Sequence, residues 1–534
     1  MQLISFTEMA VKIKSLISCI PASDKAKVLY QFLDQEASFL DNENAQLHFS
    51  VQVVEDPFYY GLLNMVSIDV RKKIDCSGLT VITRSFNSWV GMGFPAFLRR
   101  SGLLGWLISS QWSKISCQTI GPVGYRSQSF NYPFADLYDF WCAYKLWRSL
   151  KNSEDISKLV IHDILVGDLV IDSYLRFRPS PYFLVKDRFV LTVLWQAHRD
   201  IRRAYDFFSQ SKPSFYLSSL TTYIQHGVAV RVALKLGVPV YIVSSNLVFG
   251  KKLSSEDYFH TRDASSYYSI FKKLDQQEEK LKMAETELKQ KLSGAVDDTM
   301  AYMKNSAYAY SDEKLPNVEG AVVIFLHDFY DSPHVYDELI FQDFWSWICF
   351  TVDTLIESGV NFWVKPHPNQ ISLSDNAVQL LLKHYPQLNM ISSTVTNSQL
   401  VEAGVICGVT AYGSIAHELA YMGIPSICCA KHPHHSFGFC RTAKTVDEYK
   451  HFLEKPNVKL LSVKEMKRQA LEFVYMHSYH GDGTIALNRE FASYFREVNN
   501  IDGAQLVQKL VKFRDLSAYN KLIDELVSEI QISS

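Results

Sequence analysis

The chain has 534 residues, too many for one ordinary hydrophobic core, so we expect at least two large domains. Hydrophobic residues make up 47% and charged residues 21%, which is typical of a globular rather than a disordered protein. The formal net charge of −2 excludes a global basic field, so nucleic acid is not an expected partner.

The cysteines indicate a reducing compartment. There are nine of them, an odd number, with no Cys-x-x-Cys pair. This usage argues against a disulfide framework and against a thiolate zinc site. Glu8, Lys12 and Lys14 interrupt the apolar residues near the start of the chain, so we expect no secretory signal. No window approaches eighteen uncharged apolar residues, and we predict a cytoplasmic protein without a membrane span.

Residues 1–130 carry few clear signals. Leu63–Val70 and Leu79–Arg84 are predicted to be short strands. Phe94–Trp112 is an apolar stretch that includes two adjacent arginines and two tryptophans. Such a segment suits peripheral contact with the inner membrane, although a helix packed into the first domain is the favoured interpretation.

An α/β pattern begins at Leu159. Leu159–Leu165 is predicted to be a strand and Val190–Phe208 a helix. Phe215–Leu217 begins another element, and Val238–Ser244 has the composition of a fully buried strand. This alternation predicts βαβ units and a parallel sheet.

The first α/β unit contains the candidate catalytic residues. Asp168 lies next to Gly167 after an apolar strand. Its carboxylate could be a base toward an acceptor hydroxyl or a nucleophile on an anomeric carbon. The structural alternative is an aspartate that caps the N-terminus of a helix. Asp172, one helical turn further, is the second candidate. His226 stands at a glycine turn. Arg231 lies one turn into a helix, where its planar fork could hold a substrate carboxylate, although a solvated helix face is the favoured interpretation.

The segment 271–292 is strongly charged and predicts a long helix at about 265–300. Leu274, Leu281 and Leu288 recur every seven residues on an otherwise polar sequence. This narrow stripe predicts a bridge between domains or a lid, because a coiled coil would need a second apolar seam position.

A second α/β unit follows. Its predicted strands are Ala321–Leu326, Gly359–Lys365, Leu388–Ile391, Val405–Val409 and Ile424–Cys429, and its predicted helices are Phe344–Ser358 and Ala377–His384. Repeats at this spacing predict a compact Rossmann-like domain. The tail from Val463 onward is predicted to be helical and to cross back over the first domain.

Lys365-Pro-His-Pro-Asn369 follows directly on a predicted strand. The two prolines stop the strand and direct His367 out of its carboxyl end, which is where ligands bind in open α/β sheets. Lys365 and His367 together would suit a phosphate leaving group. The alternative is a structural His–Pro turn.

The run from Cys407 to Ile427 predicts a strand, a glycine turn, a short helix and a second strand. Ser414 stands at the helix N-cap position after Gly413, where free backbone N–H groups attract phosphate. Glu418 lies on the same face, one turn further, where its carboxylate could accept bonds from ribose hydroxyls. These features predict a site for a nucleotide mono- or diphosphate sugar.

Two further histidine-bearing segments follow predicted strands. Phe325–Val335 contains His327 and is predicted to be a loop that lines the cleft without a metal, with His327 on the donor side. His432–His435 is predicted to be a surface loop. No residue is assigned as a metal ligand.

Four motifs together resemble a known family. They are Gly-Asp-Leu-x-x-Asp-Ser-Tyr-Leu-Arg (167–176), Gln-His-Gly-Val-x-x-Arg (225–231), Lys-Pro-His-Pro (365–368), and Gly-Ser-x-x-x-Glu (413–418) with a following Gly-Ile-Pro. The chain resembles bacterial surface-polysaccharide glycosyltransferases. More narrowly, it is similar to capsule and lipopolysaccharide enzymes that transfer Kdo or nonulosonic acids from CMP donors. The likeness covers about residues 155–440 and is firmest over 361–427.

The resemblance implies a GT-B fold: an α/β protein with two Rossmann-like domains facing a cleft, and no cofactor or metal besides the donor. Residues 1–310 would form the acceptor-side domain, 316–475 the nucleotide-sugar domain, and 476–534 helices packing back on the first domain. Lys365, His367, Gly413, Ser414, Glu418 and His327 would bind the donor, with His367 and Ser414 at its phosphate and Glu418 at the cytidine ribose. Asp168 would act from the opposite wall.

The resemblance also implies the reaction. An acidic keto sugar, either Kdo or a nonulosonic acid such as pseudaminic, legionaminic or sialic acid, would pass from CMP to a glycan or lipid-linked glycan of capsule or O-antigen. If the Kdo enzymes are a guide, configuration is retained through Asp168. The alternatives are a GT-B transferase with a UDP-sugar or CDP-glycerol donor, a sugar-nucleotide epimerase, and a catalytically silent scaffold for polysaccharide export.

Overall fold

The computed structural model describes residues 24–37, 47–54, 57–74, 76–84, 133–152, 154–178, 180–243, 249–299, 303, 305–309, 312–370, 372–480 and 485–533. The predicted apolar helix at Phe94–Trp112 lies outside the described residues. Within them, no helix combines the length and the apolar character that crossing a bilayer requires.

The strands are β1 (Leu47–Val54), β2 (Cys76–Arg84), β3 (Val160–Ile161), β4 (Ile164–Leu165), β5 (Phe215–Ser218), β6 (Val240–Val243), β7 (Phe249–Lys252), β8 (Val322–Phe325), β9 (Phe362–Lys365), β10 (Cys407–Val409), β11 (Ser426–Cys428) and β12 (Cys440–Thr442). The helices of the first half are α1 (Asp24–Ala37), α2 (Pro57–Arg71), α3 (Pro133–Ser149), α4 (Glu154–Ser157), α5 (Gly167–Phe177), α6 (Arg188–Ser211), α7 (Tyr223–Lys235), α8 (Tyr267–Phe271) and α9 (Gln277–Leu292). Those of the second half are α10 (Phe344–Glu357), α11 (Ser372–His384), α12 (Asn397–Glu402), α13 (Ile415–Tyr421), α14 (Val446–Glu454), α15 (Val463–Ser478), α16 (Ile485–Glu497), α17 (Gly503–Asp515) and α18 (Ser517–Ser533).

The first half is built on a five-stranded sheet with the order β2-β1-β5-β6-β7. Its pairs are parallel except for β6 with β7. The strand predicted at Leu79–Arg84 is confirmed within β2, whereas the one predicted at Leu63–Val70 is wrong because that segment belongs to α2. An apolar run of this length has the same pattern in a buried helix as in a buried strand, and periodicity alone does not separate them.

The strand predicted at Leu159–Leu165 is a tight hairpin. His162 and Asp163 have φ values of 47° and 62°, which end an extended strand. The two-residue strands β3 and β4 therefore pair antiparallel on either side of the turn. Gly167 then starts α5, and only glycine fits there, because a Cβ atom would lie 1.9 Å from the carbonyl oxygen of Ile156.

The second half contains a fully parallel sheet with the order β12-β11-β10-β8-β9. The predicted strands are confirmed, with one exception. Leu388–Ile391 contributes only a single bridge, between Val364 and Met390.

Both sheets are covered by helices on both faces, which explains their continuous apolar strands. In β5, Phe215 and Leu217 pack toward the core that includes α2, while Tyr216 packs toward α6 on the other face. In the second sheet, Val322 and Val323 likewise belong to cores on opposite faces. The described chain is thus an α/β protein of GT-B-like architecture, as predicted.

The charged segment folds as α8 and α9, with a break between them. Leu281, Ala284 and Leu288 form the buried stripe of α9 and join a core with α15. The C-terminal helices α16 to α18 share the core of α1 and α2, and Arg514 forms a 2.7 Å ion pair with Asp69.

Candidate functional site

A cavity of 610 Å³ lies at the carboxyl edge of the second sheet. It forms where the adjacent parallel strands β9, β8 and β10 end, since the loops that follow them meet at one edge. All six residues predicted for the donor side line this cavity: His327, Lys365, His367, Gly413, Ser414 and Glu418. The structure therefore brings together groups that lie up to 91 positions apart in sequence.

His327 follows β8 and is held as a neutral ring. Its Nε2 lies 2.9 Å from the hydroxyl of Thr410, and its ring stacks on Phe344 with centroids 4.7 Å apart. Burial, followed by the nearby His367, lowers the pKa of His327 to about 3. This side chain supports the cavity wall and does not supply a positive charge.

Thr410 also fixes the turn before α13. Its hydroxyl accepts a 3.1 Å bond from the backbone N–H of Gly413. A Cβ atom at position 413 would lie 2.7 Å from that hydroxyl oxygen, which explains the glycine. The turn thus brings main chain close to the cavity.

Ser414 occupies the predicted N-cap position, but its side chain makes no capping bond. Its backbone is helical, with φ −58° and ψ −21°, and the residue is exposed. Because α13 has only seven residues, side chains have to provide most of the positive potential in the cavity.

Lys365 is the last residue of β9 and is 2% exposed. No hydrogen bond or ion pair joins its ammonium group to another described residue. Burial lowers the pKa of Lys365 to about 8, against the opposing effect of the Glu418 carboxylate. A buried lysine that lines a cavity without a carboxylate partner is a site for an anion.

His367 is fixed by the loop that carries it. Its Nδ1 accepts a 3.1 Å bond from the backbone N–H of Asn369, so the neutral ring carries its proton on Nε2. Asn369 in turn exchanges bonds of 2.7 and 2.8 Å with the backbone of Asn305. Burial, aided by Lys365, lowers the pKa of His367 despite Asp328 and Glu418. The ring is therefore a rigid N–H donor beside Lys365.

Glu418 has two partners that sequence reasoning missed. Lys291, at the end of α9, forms a 2.9 Å ion pair with Oε1, and the Tyr308 hydroxyl donates a 2.6 Å bond to Oε2. Burial alone would raise the pKa of Glu418, but these two groups and Lys365 lower it below its ordinary value. The carboxylate stays ionised and retains lone pairs for a ligand. The only sequence signal for Lys291 is its place at the end of the charged helix.

Arg176, in α5, is a second cation of the first half that lines the cavity, besides Lys291. It is exposed, and no hydrogen bond or ion pair joins it to another described residue. It ends the motif that begins at Gly167, yet sequence reasoning singled out only the aspartates of that motif. Asp168, Asp172 and Arg176 are four residues apart and therefore share one face of α5.

Asp168 and Arg231 are paired with each other and do not line the cavity. Arg231 donates through Nη1 to Asp168 Oδ1 at 2.7 Å and to the carbonyl of Leu165 at 2.6 Å. Arg231 is also positioned over the ring of Tyr258, 4.2 Å from its centroid. Burial would raise the pKa of Asp168, but Arg231 lowers it. The prediction that Arg231 lies on a solvated helix face is therefore wrong, since the side chain is buried. Its guanidinium is occupied by protein groups.

Asp172 is 1% exposed and joins the two halves of the chain. Its Oδ1 lies 2.7 Å from Nδ1 of His334, in the loop after β8. Burial disfavours a charged His334, but the carboxylates of Asp172 and Asp168 outweigh it and raise the pKa of His334. Asp172 is therefore a link between the halves in this structure.

His226 does not stand at a turn. It lies inside α7 and is fully buried, with Nε2 3.4 Å from the amide nitrogen of Gln225. The following Gly227 serves close packing, because a Cβ atom there would lie 2.4 Å from the carbonyl oxygen of Thr221. Gly227, which predicted a turn, instead allows neighbouring elements to approach closely.

The loop after β8 lines the cavity through His327, Asp328 and Asp331, so its prediction as a cleft-lining loop is confirmed. The prediction that His432–His435 is a surface loop is wrong. His432 is 0% and His434 2% exposed, because the loop from β11 to β12 folds inward.

No protein-family model matches the chain, and no curated protein matches its sequence. Among solved structures it is similar to KpsC of Thermosulfurimonas dismutans, a beta Kdo 2,4 transferase, at 12% identity over 48% of this chain and 79% of that one, with a TM-score of 0.30. It is also similar to the UDP-GlcNAc 2-epimerase of Neisseria meningitidis, at 9% identity over 87% and 100% of the two chains, with a TM-score of 0.25. Likenesses at this level assign neither substrate nor reaction.

Proposed function

We propose that the protein is a glycosyltransferase that binds a nucleotide-activated sugar in the 610 Å³ cavity. The observation that carries this proposal is the buried, unpartnered ammonium of Lys365 beside the N–H of His367. Burying a cation is costly unless a ligand supplies the opposite charge. A phosphate oxygen fits both groups, since lysine acts on phosphate as a point charge and the imidazole adds one directed hydrogen bond.

The rest of the cavity supports a sugar nucleotide over a free phosphate. Its volume lies within the roughly 300–1,000 Å³ that small-molecule sites occupy. The ionised Glu418 is an acceptor for ribose hydroxyls, and Arg176 approaches from the first half. These residues would hold the donor in place and stabilise the negative charge that develops as the nucleotide departs.

The donor we propose is CMP-linked, and the sugar is an acidic keto sugar such as Kdo or a nonulosonic acid. Arg176, rather than Arg231, is the cation we assign to the sugar carboxylate, because Arg231 is already engaged by Asp168. The acceptor would be a surface glycan or its lipid-linked precursor, and the reaction would take place in the cytoplasm. Free thiols such as Cys349 and Cys407 fit that compartment.

Calorimetry with CMP, UMP and UDP tests the nucleotide. CMP should bind best, and Lys365→Gln should weaken binding about 10–100-fold, as expected for losing a charged hydrogen bond. Lys383→Gln, an exposed lysine on α11, is the matched control and should bind as the parent does. Tighter binding of UDP than of CMP would indicate a UDP-sugar donor in place of a CMP-linked one. Unchanged nucleotide binding by Lys365→Gln would show that the cavity is not the donor site.

Mass spectrometry of products tests the reaction. The full chain should join a CMP-activated acid to a lipid-linked acceptor, and His367→Ala should abolish that product. Conversion of the donor to an isomer without any acceptor would indicate an epimerase instead. A chain that binds nucleotide but neither transfers nor isomerises the sugar would be a scaffold.

A further inference from the structure

Four side chains of types that bind metals meet at one edge of the cavity, in the connection from β11 to β12. Cys428 ends β11, Cys440 begins β12, and His432 and His434 lie in the loop between them. One ligand atom from each residue lies within 4.8 Å of all the others. All four residues are buried, at 0 to 5% exposure.

The spacing of these atoms fits a tetrahedral metal. The two sulfur atoms are 3.2 Å apart, and Cys428 Sγ lies 4.0 Å from Nε2 of His434. In a zinc site, bonds of about 2.3 Å to sulfur and about 2.0–2.1 Å to nitrogen keep ligand atoms about 3.3–3.8 Å apart. The observed distances lie on either side of this range, so shifts of a few tenths of an ångström would close the ligands on one ion.

The surroundings give these polar groups little else to bind. The cluster packs among the rings of Phe437, Phe439 and Phe473. Nδ1 of His432 has no hydrogen-bond partner among the described residues. Its Nε2 lies 2.9 Å from the hydroxyl of Thr442, the kind of outer contact that orients a metal-binding imidazole.

We propose that Cys428, His432, His434 and Cys440 bind one zinc ion. Two thiolates and two imidazoles select zinc among the common divalent metals of cells. Because protein groups fill all four positions, the site is structural and leaves none for a substrate. The thiols release their protons on binding, and the ion then ties β11 to β12 and to the loop between them.

The ion would also support the donor cavity. His434 lines that cavity, and its ring centroid lies 6.1 Å from that of His417, the neighbour of Glu418 in α13. Zinc at this position would fix one wall of the cavity. The spacing Cys-x3-His-x-His-x5-Cys contains no Cys-x-x-Cys, which is why composition and motif spacing argued against a thiolate zinc site.

Metal analysis of the full-length protein, purified without chelators, tests the proposal. We expect about one zinc per chain, and less than about a tenth of that in Cys428→Ser and His432→Ala. Cys429→Ser is the matched control, because this adjacent buried thiol faces the carbonyl of Ala411 at 3.8 Å and lies outside the cluster. It should keep its zinc. Zinc content that is unchanged in Cys428→Ser would overturn the assignment.

A measurement on the unaltered chain covers the case in which ligand variants fail to fold. Chelator-stripped protein reloaded with Co²⁺ should show the visible spectrum of tetrahedral cobalt with thiolate ligands, and zinc should raise its unfolding temperature. Protein that takes up neither metal refutes the site. So does a Cys428–Cys440 disulfide in unreduced peptide maps, because that bond would consume both thiolates.

Discussion

Replacing Lys365 by methionine should stabilise the ligand-free protein and remove nucleotide binding. The side chain is 2% exposed, and burial lowers its pKa from 10.5 to about 8. That drop corresponds to about 3 kcal/mol of folding free energy lost at neutral pH by keeping the charged amine inside. Methionine has a similar length and no charge, so the substitution removes this cost together with the anion site.

The direction of the Lys365 pKa shift determines how its effect on stability changes with pH. Because the folded pKa of Lys365 is depressed, the unfolded chain binds more protons between about pH 8 and pH 10.5. Lys365 therefore destabilises the protein fully below about pH 8, and the effect fades as the pH rises from about 8 to 10.5. The free energy of unfolding measured in urea at neutral pH should be higher for Lys365→Met than for the parent. The difference should be smaller at alkaline pH.

Nucleotide binding should also depend on the protonation of the Lys365 amine. Only the charged amine attracts phosphate, so affinity for CMP should fall about tenfold between about pH 7 and pH 9, with uptake of about half a proton at pH 8. Phosphate has its second pKa near 6 and does not titrate in this range. Calorimetry in buffers of different ionisation enthalpy measures the uptake. A Lys365→Met chain that unfolds more easily than the parent, or that binds CMP equally well, refutes this reasoning.

Three further substitutions separate roles within the site. Arg176→Gln should leave stability and CMP binding unchanged but weaken a CMP-linked acidic sugar about tenfold or more by calorimetry, whereas exposed Arg188→Gln should change neither. Glu418→Gln should lower urea stability by about 1–3 kcal/mol, because Lys291 loses its 2.9 Å ion pair and keeps only Asp297, 3.5 Å away. Asp168→Asn should cost about 3–5 kcal/mol by the same assay, because it leaves the buried Arg231 without its carboxylate; lost transfer at unchanged stability would instead support a direct role for Asp168.

The convergence of the residues that line the second-half wall of the cavity was predictable because it follows from topology. In a parallel sheet every strand ends at the same edge, so polar residues directly after apolar strands converge there. Lys365 ends such a strand, His367 and Ser414 follow one, and Glu418 lies in the short helix after it. The rule needs only the strands and their direction, both of which the apolar runs of the second half indicate clearly.

Pairing between distant residues was not predictable in the same way. Lys291 and Tyr308 reach Glu418 from a segment more than a hundred positions away, and no local pattern marks either of them. In the same way, the sequence did not indicate that the guanidinium of Arg231 pairs with Asp168 and is therefore not free to bind a substrate. Such partners depend on how packed elements face one another, which hydrophobic periodicity does not encode.

The motif at Gly167–Arg176 shows why local signals mislead about role. Its three charged residues share one face of α5, but each meets a different environment. Asp168 is neutralised by Arg231, Asp172 bonds to His334 of the second half, and Arg176 alone remains open to the cavity. Eight residues of helix rise about 12 Å, enough to carry one face from a buried ion pair to an open cavity. Position along this face, rather than membership of the motif, decides which charge is available to a ligand.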